Sequence, residues 1–274
     1  MSYFTTADGC KLYYEEHGKG EPLIFIHGWS CNSKYFKKQV AYFSKKYRVV
    51  AYDLRGHGES DKGEVTEQNM NLARFGEDLH ELIEGLGIDK ANLVGWSMGT
   101  STLFAYIRKF GCQYINKLCI IDMIPKLITD DEWKLGTMSS FTHADNLNWL
   151  SMIAADWNTL VEHFTPNIFG KGYPKDSELF KWSLGEARKN VPHVMAFMWL
   201  SMSVEDFRPV LKDIAVPTLL AFGGDGLLHT RAHGEYMEQN IKNSKLVLFP
   251  GCGHGPFLDA PDAFNAELEA FLTE

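Results

Sequence analysis

The sequence Gly-Trp-Ser-Met-Gly at residues 95–99 contains the side chain best suited to nucleophilic chemistry, Ser97. It follows a short apolar run at 92–95 and precedes a helical pattern at 100–109. A Gly-x-Ser-x-Gly sequence between a strand and a helix is typical of a sharp turn that exposes the serine hydroxyl, and its glycines leave room for a strained backbone. Because a serine hydroxyl is a weak nucleophile at neutral pH, Ser97 also needs a base, a carboxylate that orients the base, and donors for an oxyanion.

His254 is the predicted base. In sequences with this turn the acid and then the histidine follow the serine along the chain, and His254 is the only histidine after Gly234. It lies in the glycine-rich sequence 251–255, directly after an apolar run at 245–249. Such a loop lets the imidazole reach the carboxyl edge of a parallel sheet, where Ser97 is expected.

The backbone amides of Trp29 and Met98 are predicted to bind the oxyanion. Met98 directly follows Ser97, and Trp29 follows Gly28 at the end of the apolar run 23–26. Gly28 has no side chain, so this loop can come close to the serine. Removing one such donor typically costs about 3–4 kcal/mol of transition-state stabilisation.

The sequence predicts no metal and no other cofactor. His229 and His233 stand four residues apart and could lie on one face of a helix, but no acidic third ligand accompanies them. No glycine-rich nucleotide-binding sequence follows a predicted strand. Ser97 and its partners are therefore expected to act without a metal or other cofactor.

Four motifs together resemble the α/β-hydrolase superfamily: His-Gly-Trp at 27–29, the turn at 53–60, Gly-Trp-Ser-Met-Gly at 95–99 and Gly-His at 253–254. They occur in the family's order over nearly the whole chain, and the first and third are most similar to the bacterial aryl-esterase and cofactor-free haloperoxidase branch. The resemblance implies a mostly parallel eight-stranded sheet flanked by helices and carrying a helical cap. Many haloperoxidase-type members have proline after His-Gly-Trp; this chain has Ser30, which argues against perhydrolysis.

The triad acid has two candidates. The usual family acid follows the strand at 216–222 in a G-x-x-D turn, but counting three residues from Gly223 gives Gly226, and Asp225 comes one residue early. Asp122 follows the apolar run 118–121, a position from which some members of the superfamily supply the acid. We favour Asp122 because it requires no gap, and Asp225 stays as the alternative.

Short apolar runs separated by helical patterns predict the sheet that positions these residues. The runs lie at 23–26, 49–52, 91–94, 118–121, 218–222 and 245–249, and their continuous apolar character is typical of parallel strands covered on both faces. Apolar residues recur at helical spacing over 72–86 and again after Pro261. Residues 3–26 are predicted to form a leading antiparallel hairpin that turns at 17–20.

This alternation stops between residues 123 and 207, a segment that contains five of the seven tryptophans. So long a stretch without a strand is more than a simple connection. The resemblance implies a cap over the active site, which divides the chain into a hydrolase core at 1–122 and 208–274 and a cap at 123–207.

The cap composition predicts an apolar substrate pocket. We expect Trp96, Met123, Met195 and Trp199 to contact the substrate, because aromatic and methionine side chains form adaptable apolar walls. Few basic residues interrupt the sequence 194–202, which argues against a highly charged substrate. The prediction is a small-molecule carboxylic ester, thioester or lactone with an apolar acyl or aryl part. C–C bond hydrolysis, perhydrolysis and a small-molecule receptor are the alternatives.

Composition narrows the class of partner and the compartment. The 274 residues include 35 acidic and 27 basic side chains, a net charge of −8 that disfavours nucleic acid and anionic membranes as partners. No apolar run reaches the roughly 18 residues of a membrane span, and the N-terminus has no signal-peptide pattern. Five scattered cysteines without a Cys-x-x-Cys pair favour reduced thiols and a cytoplasmic protein.

Overall fold

In the computed structural model, which describes residues 2–62 and 65–274, the described strands form one eight-stranded sheet. The strands are β1 Ser2–Thr5, β2 Lys11–His17, β3 Pro22–Ile26, β4 Arg48–Tyr52, β5 Ala91–Trp96, β6 Ile115–Ile121, β7 Thr218–Gly223 and β8 Ser244–Phe249. Their order across the sheet is β1-β2-β4-β3-β5-β6-β7-β8. Only the β1–β2 and β2–β4 pairs are antiparallel among these described strands, which confirms the predicted mostly parallel sheet.

Ten α-helices lie in the described part of the chain. They are α1 Lys37–Phe43, α2 Leu72–Gly85, α3 Met98–Phe110, α4 His143–Ala155, α5 Trp157–Phe164, α6 Glu178–Arg188, α7 Pro192–Val204, α8 Arg231–Asn240, α9 Pro256–Asp259 and α10 Pro261–Thr273. None of the helices described is long and apolar enough to cross a membrane.

Helices cover both faces of the sheet and produce two apolar cores. Ile24 and Leu93 face the core formed with α2 and α3. Phe25 and Val94, one position along each strand, face the core formed with α1 and α10. Because successive side chains of a strand point to opposite faces, burial of both faces explains why these strands are apolar at every position.

The N-terminus forms an antiparallel hairpin, but the predicted position of its turn is wrong. β1 and β2 do pair antiparallel, with Tyr3 opposite Tyr13, but the turn lies between them at 6–10. The glycine-containing segment at 17–20 instead leads from β2 to β3, and these two strands are separated in the sheet by β4. β2 and β3 are consecutive along the chain but are not neighbours in the sheet. The apolar strand β3 lies in the sheet interior, between β4 and β5.

Helices α4 to α7 lie between β6 and β7. No strand lies in this described part of the chain, as predicted. These helices pack over the carboxyl end of β3 through Trp29, which follows that strand. The Trp29 ring makes edge contacts with Trp157, Phe164 and Trp199, with ring centroids 5.2–5.5 Å apart. Aromatic residues of α5 and α7 thus contact Trp29, which lies in the loop that was predicted to supply an oxyanion donor.

Candidate active site

Ser97 lies in the sharp turn between β5 and α3. Its backbone has φ 54° and ψ −123°, an unusual conformation for a residue other than glycine. The Ser97 amide donates to the carbonyl of Ile121 at 3.2 Å, which ties the turn to β6. A Cβ atom at Gly99 would lie 2.2 Å from the Ile26 carbonyl oxygen, and one at Gly95 would lie 2.5 Å from Leu103 Cδ1. Both glycines of the motif are therefore required for close packing of the turn.

The loop after β3 comes directly against Ser97. A Cβ atom at Gly28 would lie 3.0 Å from Ser97 Cβ and 3.5 Å from its Oγ. Within the described residues, the amides of Trp29 and Met98 donate to no protein acceptor. The two amides predicted as oxyanion donors are thus uncommitted, and both belong to segments that border the Ser97 side chain.

Two buried histidines hold this loop in place. His27 Nδ1 donates to the Gly28 carbonyl at 2.8 Å, and its Nε2 accepts from the Leu54 amide at 2.9 Å. His57 Nε2 accepts from the Ser30 amide at 3.2 Å. Burial lowers the pKa of both rings, which keeps them neutral at physiological pH. These bonds fix the loop on either side of the Trp29 amide.

His254 and Asp122 form a buried pair. His254 Nδ1 lies 2.8 Å from Asp122 Oδ1, and Asp122 Oδ2 accepts a 2.9 Å hydrogen bond from the Gly223 amide. Burial by itself would raise the pKa of Asp122, but hydrogen bonds from His229 and His254 lower it well below its usual range. Burial lowers the pKa of His254, although its bond to Asp122 opposes that shift. At neutral pH the arrangement is a carboxylate facing a neutral imidazole.

Asp225, the alternative acid, lies outside this arrangement. Its side chain is exposed, and its Oδ2 accepts from the Gly251 amide at 2.8 Å. Its own amide donates to the Cys252 carbonyl. Asp225 therefore connects the β7 loop to the loop before His254, and the structure places Asp122 at the imidazole instead.

A second histidine that sequence reasoning did not assign to the site also contacts the carboxylate. His229 Nδ1 lies 2.7 Å from Asp122 Oδ1 and 3.0 Å from the Asp122 carbonyl oxygen. Its ring centroid is 5.4 Å from that of His254. The position of His229, six residues after Gly223, did not predict its contact with Asp122, because that contact depends on how the β7 loop folds back over the end of β6.

His229 and His233 form hydrogen bonds to different partners. Both nitrogens of His233 are bonded elsewhere, Nε2 to the Gly136 carbonyl and Nδ1 to the Thr230 amide. Donor atoms of Asp122, His229 and His254 do lie within 4.8 Å of one another. The Nδ1 atoms of His229 and His254 are both directed at Asp122 Oδ1 as hydrogen-bond donors.

A narrow cavity of about 40 Å³ opens between Ser97 and the helical segment. Ser97 and His254 both line it, without a direct hydrogen bond between them in the described residues. Such bonds are often long before substrate binds. The other lining residues are Trp29, Met123, Leu127, Thr137, Phe164, Trp199, Met202, Leu228 and His229. Apart from a few polar atoms beside Ser97 and His254, the walls are apolar.

The structure brings two of the four predicted substrate contacts to this cavity and not the others. Met123 and Trp199 line it. Trp96 points to the opposite face of the sheet from the cavity, where its indole nitrogen donates to the His254 carbonyl at 2.8 Å. Met195 is fully buried in the core, and its carbonyl accepts from the Trp29 indole. Neither Trp96 nor Met195 lines the cavity as predicted; Trp96 instead supports His254, and Met195 supports Trp29.

Comparison with known proteins identifies the family to which this fold belongs. A family model described as alpha/beta hydrolase fold matches residues 21–261. That match covers most of the chain, so the chain belongs to the α/β-hydrolase fold family.

Individual relatives confirm the predicted branch. An esterase from Exiguobacterium antarcticum is 26% identical and superimposes with a TM-score of 0.91, with 100% of this chain and 99% of that chain covered. A bromoperoxidase from Bacillus anthracis is 28% identical, with a TM-score of 0.90 and 100% of both chains covered. A bifunctional esterase/perhydrolase from Acinetobacter calcoaceticus is 28% identical, with 99% of each chain covered. These matches also support the prediction of a carboxylesterase-like enzyme.

Proposed function

We propose that the protein is a serine hydrolase that cleaves a small carboxylic ester with a largely apolar acyl or aryl part through an acyl-enzyme. The observation that carries this proposal is the buried His254–Asp122 pair, whose histidine lines one cavity together with a serine held on a strained turn. The esterases among the similar proteins support the same class of reaction. Thioesters and lactones share the acyl chemistry and fall within the proposal.

The reaction begins when Ser97 Oγ attacks the ester carbonyl and His254 Nε2 accepts the hydroxyl proton. Asp122 holds the Nδ1 proton of His254 and stabilises the imidazolium that forms. The carbonyl oxygen becomes an oxyanion bound by the amides of Trp29 and Met98. The C–O bond to the alcohol then breaks, and the alcohol leaves with the proton from His254. Water attacks the acyl-enzyme by the same sequence, which releases the acid and restores Ser97.

The electrostatics suit this sequence. Because burial lowers the pKa of His254, the base is neutral before attack. Because the hydrogen bonds to Asp122 lower the pKa of that carboxyl group, the charge that stabilises the imidazolium is present throughout. A carboxylate that accepts bonds from several donors stays ionised even when it is buried.

The cavity favours a small acyl group. A volume of about 40 Å³ corresponds to only a few water-sized spheres, so a long acyl chain requires the helices above it to move. In the proposed division, residues 123–207 form the cap that selects the substrate, and 1–122 with 208–274 carry the chemistry. Met123, Trp199 and Met202 provide apolar walls from the cap side.

Perhydrolysis is the second candidate because one relative is named a bifunctional esterase/perhydrolase. Ser30 favours hydrolysis. Its φ of 60° and the bond from its amide to His57 are both unavailable to proline. The loop beside the oxyanion site therefore has a backbone that the proline-containing members of the branch cannot share.

Turnover of p-nitrophenyl acetate and p-nitrophenyl butyrate tests the proposal. Wild-type protein is expected to hydrolyse both with sustained turnover, and Ser97→Ala to lose at least about 10³-fold in kcat. Ser151→Ala, at an exposed position of α4, is the matched control and should match wild type. Retained activity in Ser97→Ala would contradict the mechanism, and a single burst without turnover would favour a receptor.

A further inference from the structure

Two polar atoms of the cavity have no hydrogen-bond partner among the described residues: His229 Nε2 and Thr137 Oγ1. Both residues line the cavity with Ser97 and His254, and they are only 2% and 8% exposed. Buried polar atoms are normally hydrogen-bonded because leaving them unpaired destabilises the protein. The triad accounts for neither atom.

The hydrogen-bonding role of His229 Nε2 follows from the other side of the ring. His229 Nδ1 faces only acceptors, the carboxylate and the carbonyl oxygen of Asp122. Nδ1 must therefore carry the ring proton, and in the neutral imidazole Nε2 is an acceptor. Thr137 has a hydroxyl group that can donate. The cavity thus presents one free acceptor and one free donor.

The chain holds these two atoms in the same part of the cavity. The Met138 amide donates to the Leu228 carbonyl at 2.8 Å, and His233 Nε2 contacts the Gly136 carbonyl at 3.1 Å. These bonds fix the turn that contains Thr137 against the segment that contains His229. The Thr137 amide is also held, by the Leu127 carbonyl at 2.8 Å. A ligand therefore meets a fixed donor and a fixed acceptor.

We propose that His229 and Thr137 form a subsite for a hydroxyl group of the substrate. The hydroxyl hydrogen is donated to His229 Nε2, and the hydroxyl oxygen accepts from Thr137 Oγ1. This inference rests on the proposed ester hydrolysis and names its substrate class, a short ester that carries a hydroxyl group.

The hydroxyl belongs close to the ester group itself. His229 and His254 share Asp122 Oδ1, and their ring centroids are 5.4 Å apart. Since His254 acts on the reacting oxygen atoms in the proposed mechanism and the two rings are neighbours, the hydroxyl is expected on a carbon atom near the ester group. The two sources of such a hydroxyl are the acyl part, as in a 2-hydroxy acid ester, and the alcohol part, as in a 2-hydroxyethyl ester.

Three small esters separate these sources: ethyl acetate, ethyl glycolate and 2-hydroxyethyl acetate. Hydrolysis is followed by acid release, and the kcat/KM of each hydroxy ester is divided by that of ethyl acetate. Intrinsic differences in reactivity cancel when the ratio is compared between wild type and Thr137→Val, a substitution that replaces only the hydroxyl by a methyl group. Thr165→Val is the matched control, because Thr165 is also buried with an unpaired hydroxyl but does not line the cavity.

One of the two ratios is expected to fall by about fivefold in Thr137→Val, the equivalent of one neutral hydrogen bond, and to stay unchanged in Thr165→Val. The ester whose ratio falls identifies the acyl or the alcohol side. His229→Phe should lower the same ratio. Ratios that are equal in wild type and Thr137→Val for both esters would overturn the subsite.

Binding to the Ser97→Ala protein distinguishes a failure of the subsite from a failure of the proposed function. Ser97→Ala removes turnover but leaves His229 and Thr137 in place, so the matching hydroxy ester should bind about fivefold more tightly than ethyl acetate by calorimetry. Loss of that preference in Ser97→Ala/Thr137→Val supports the subsite even if no ester is hydrolysed. Equal binding of all three esters overturns it even if wild-type protein is an active esterase.

Discussion

His254 Nδ1 lies 2.8 Å from Asp122 Oδ1, and this contact joins the loop after β8 to the end of β6. The neighbouring loop after β7 has Gly226 at the position where the family's usual acid is expected. A Cβ atom at Gly226 would lie 3.9 Å from Asp122 Oδ2. The carboxylate from β6 therefore lies in the space next to that position, and the two strands that could supply the acid are adjacent in the sheet.

Replacing Asp122 with asparagine should lower kcat by about 10⁴-fold, because the amide stabilises neither the correct tautomer of His254 nor the imidazolium. Asp225→Asn is the matched control, and it should change kcat by less than about threefold, because among the described residues its side chain accepts only from the Gly251 amide and does not line the cavity. Steady-state hydrolysis of p-nitrophenyl acetate measures both. Equal and mild losses in the two variants would contradict the assignment.

Gly28→Ala should lower kcat by about 10- to 100-fold with little change in folding. The added methyl group meets Ser97 Cβ at 3.0 Å, so it displaces the oxyanion loop or the nucleophile, and small displacements of reacting groups are costly. Gly185→Ala is the control, since a Cβ there meets no atom within 4 Å in helix α6. That variant should keep wild-type kcat and gain up to about 1 kcal/mol in stability; wild-type kcat in Gly28→Ala would exclude the close approach.

The pH dependence of kcat/KM should report a neutral His254. Because burial lowers the pKa of His254 below the ordinary value of 6.5, its neutral form persists into mildly acidic solution. The rate should therefore be constant near neutrality and fall only as the pH drops below 6.5, with an apparent pKa under that value. A rate profile measured between acid and neutral pH checks this, and an apparent pKa above 6.5 would contradict it.

Acid should also destabilise the folded protein through its buried histidines. Burial lowers the pKa of His27, His57 and His254, and that of His233 to about 4. Below about pH 6.5 the unfolded chain binds more protons than the native state, so stability is greatest above this pH and falls as the pH decreases. Thermal unfolding across this range should show the fall, and His57→Gln should show a shallower one. An equal slope in that variant would exclude His57 as a contributor.

Met202→Ala should shift substrate preference toward longer acyl groups. Met202 lines the cavity and is 5% exposed, so its truncation enlarges a space of about 40 Å³. We expect the ratio of kcat/KM for p-nitrophenyl hexanoate to that for the acetate to rise about tenfold. Leu200→Ala, on the same helix but 44% exposed, should leave the ratio unchanged. If the ratio is the same in Met202→Ala and Leu200→Ala, the acyl group does not bind beside Met202.

Local patterns were sufficient to predict the sheet, and they supplied most of the residues of the proposed site. Continuous apolar runs identified the parallel strands because both faces of those strands are buried. The glycines around Ser97 were informative because their backbone contacts leave no room for side chains. The position of His254 followed from chain order alone.

Features that depend on non-local packing could not be predicted in the same way. The choice between Asp122 and Asp225 rests on where the β7 loop directs its side chains, and the contact of His229 with Asp122 joins residues 107 positions apart. Trp96 was predicted to contact the substrate because aromatic side chains form apolar pocket walls, but alternation along β5 directs its ring to the other face. The turn of the first hairpin was wrong because strand order is decided across the sheet.

The covalent state of the protein during turnover tests the proposed acyl-enzyme mechanism most directly. Protein mixed with p-nitrophenyl acetate is quenched in acid within the first turnovers and digested, and its peptides are examined by mass spectrometry. We expect one acetyl group per chain, on Ser97, and none at this site in Ser97→Ala. Acetylation confined to another residue, or hydrolysis that continues in Ser97→Ala, would contradict it.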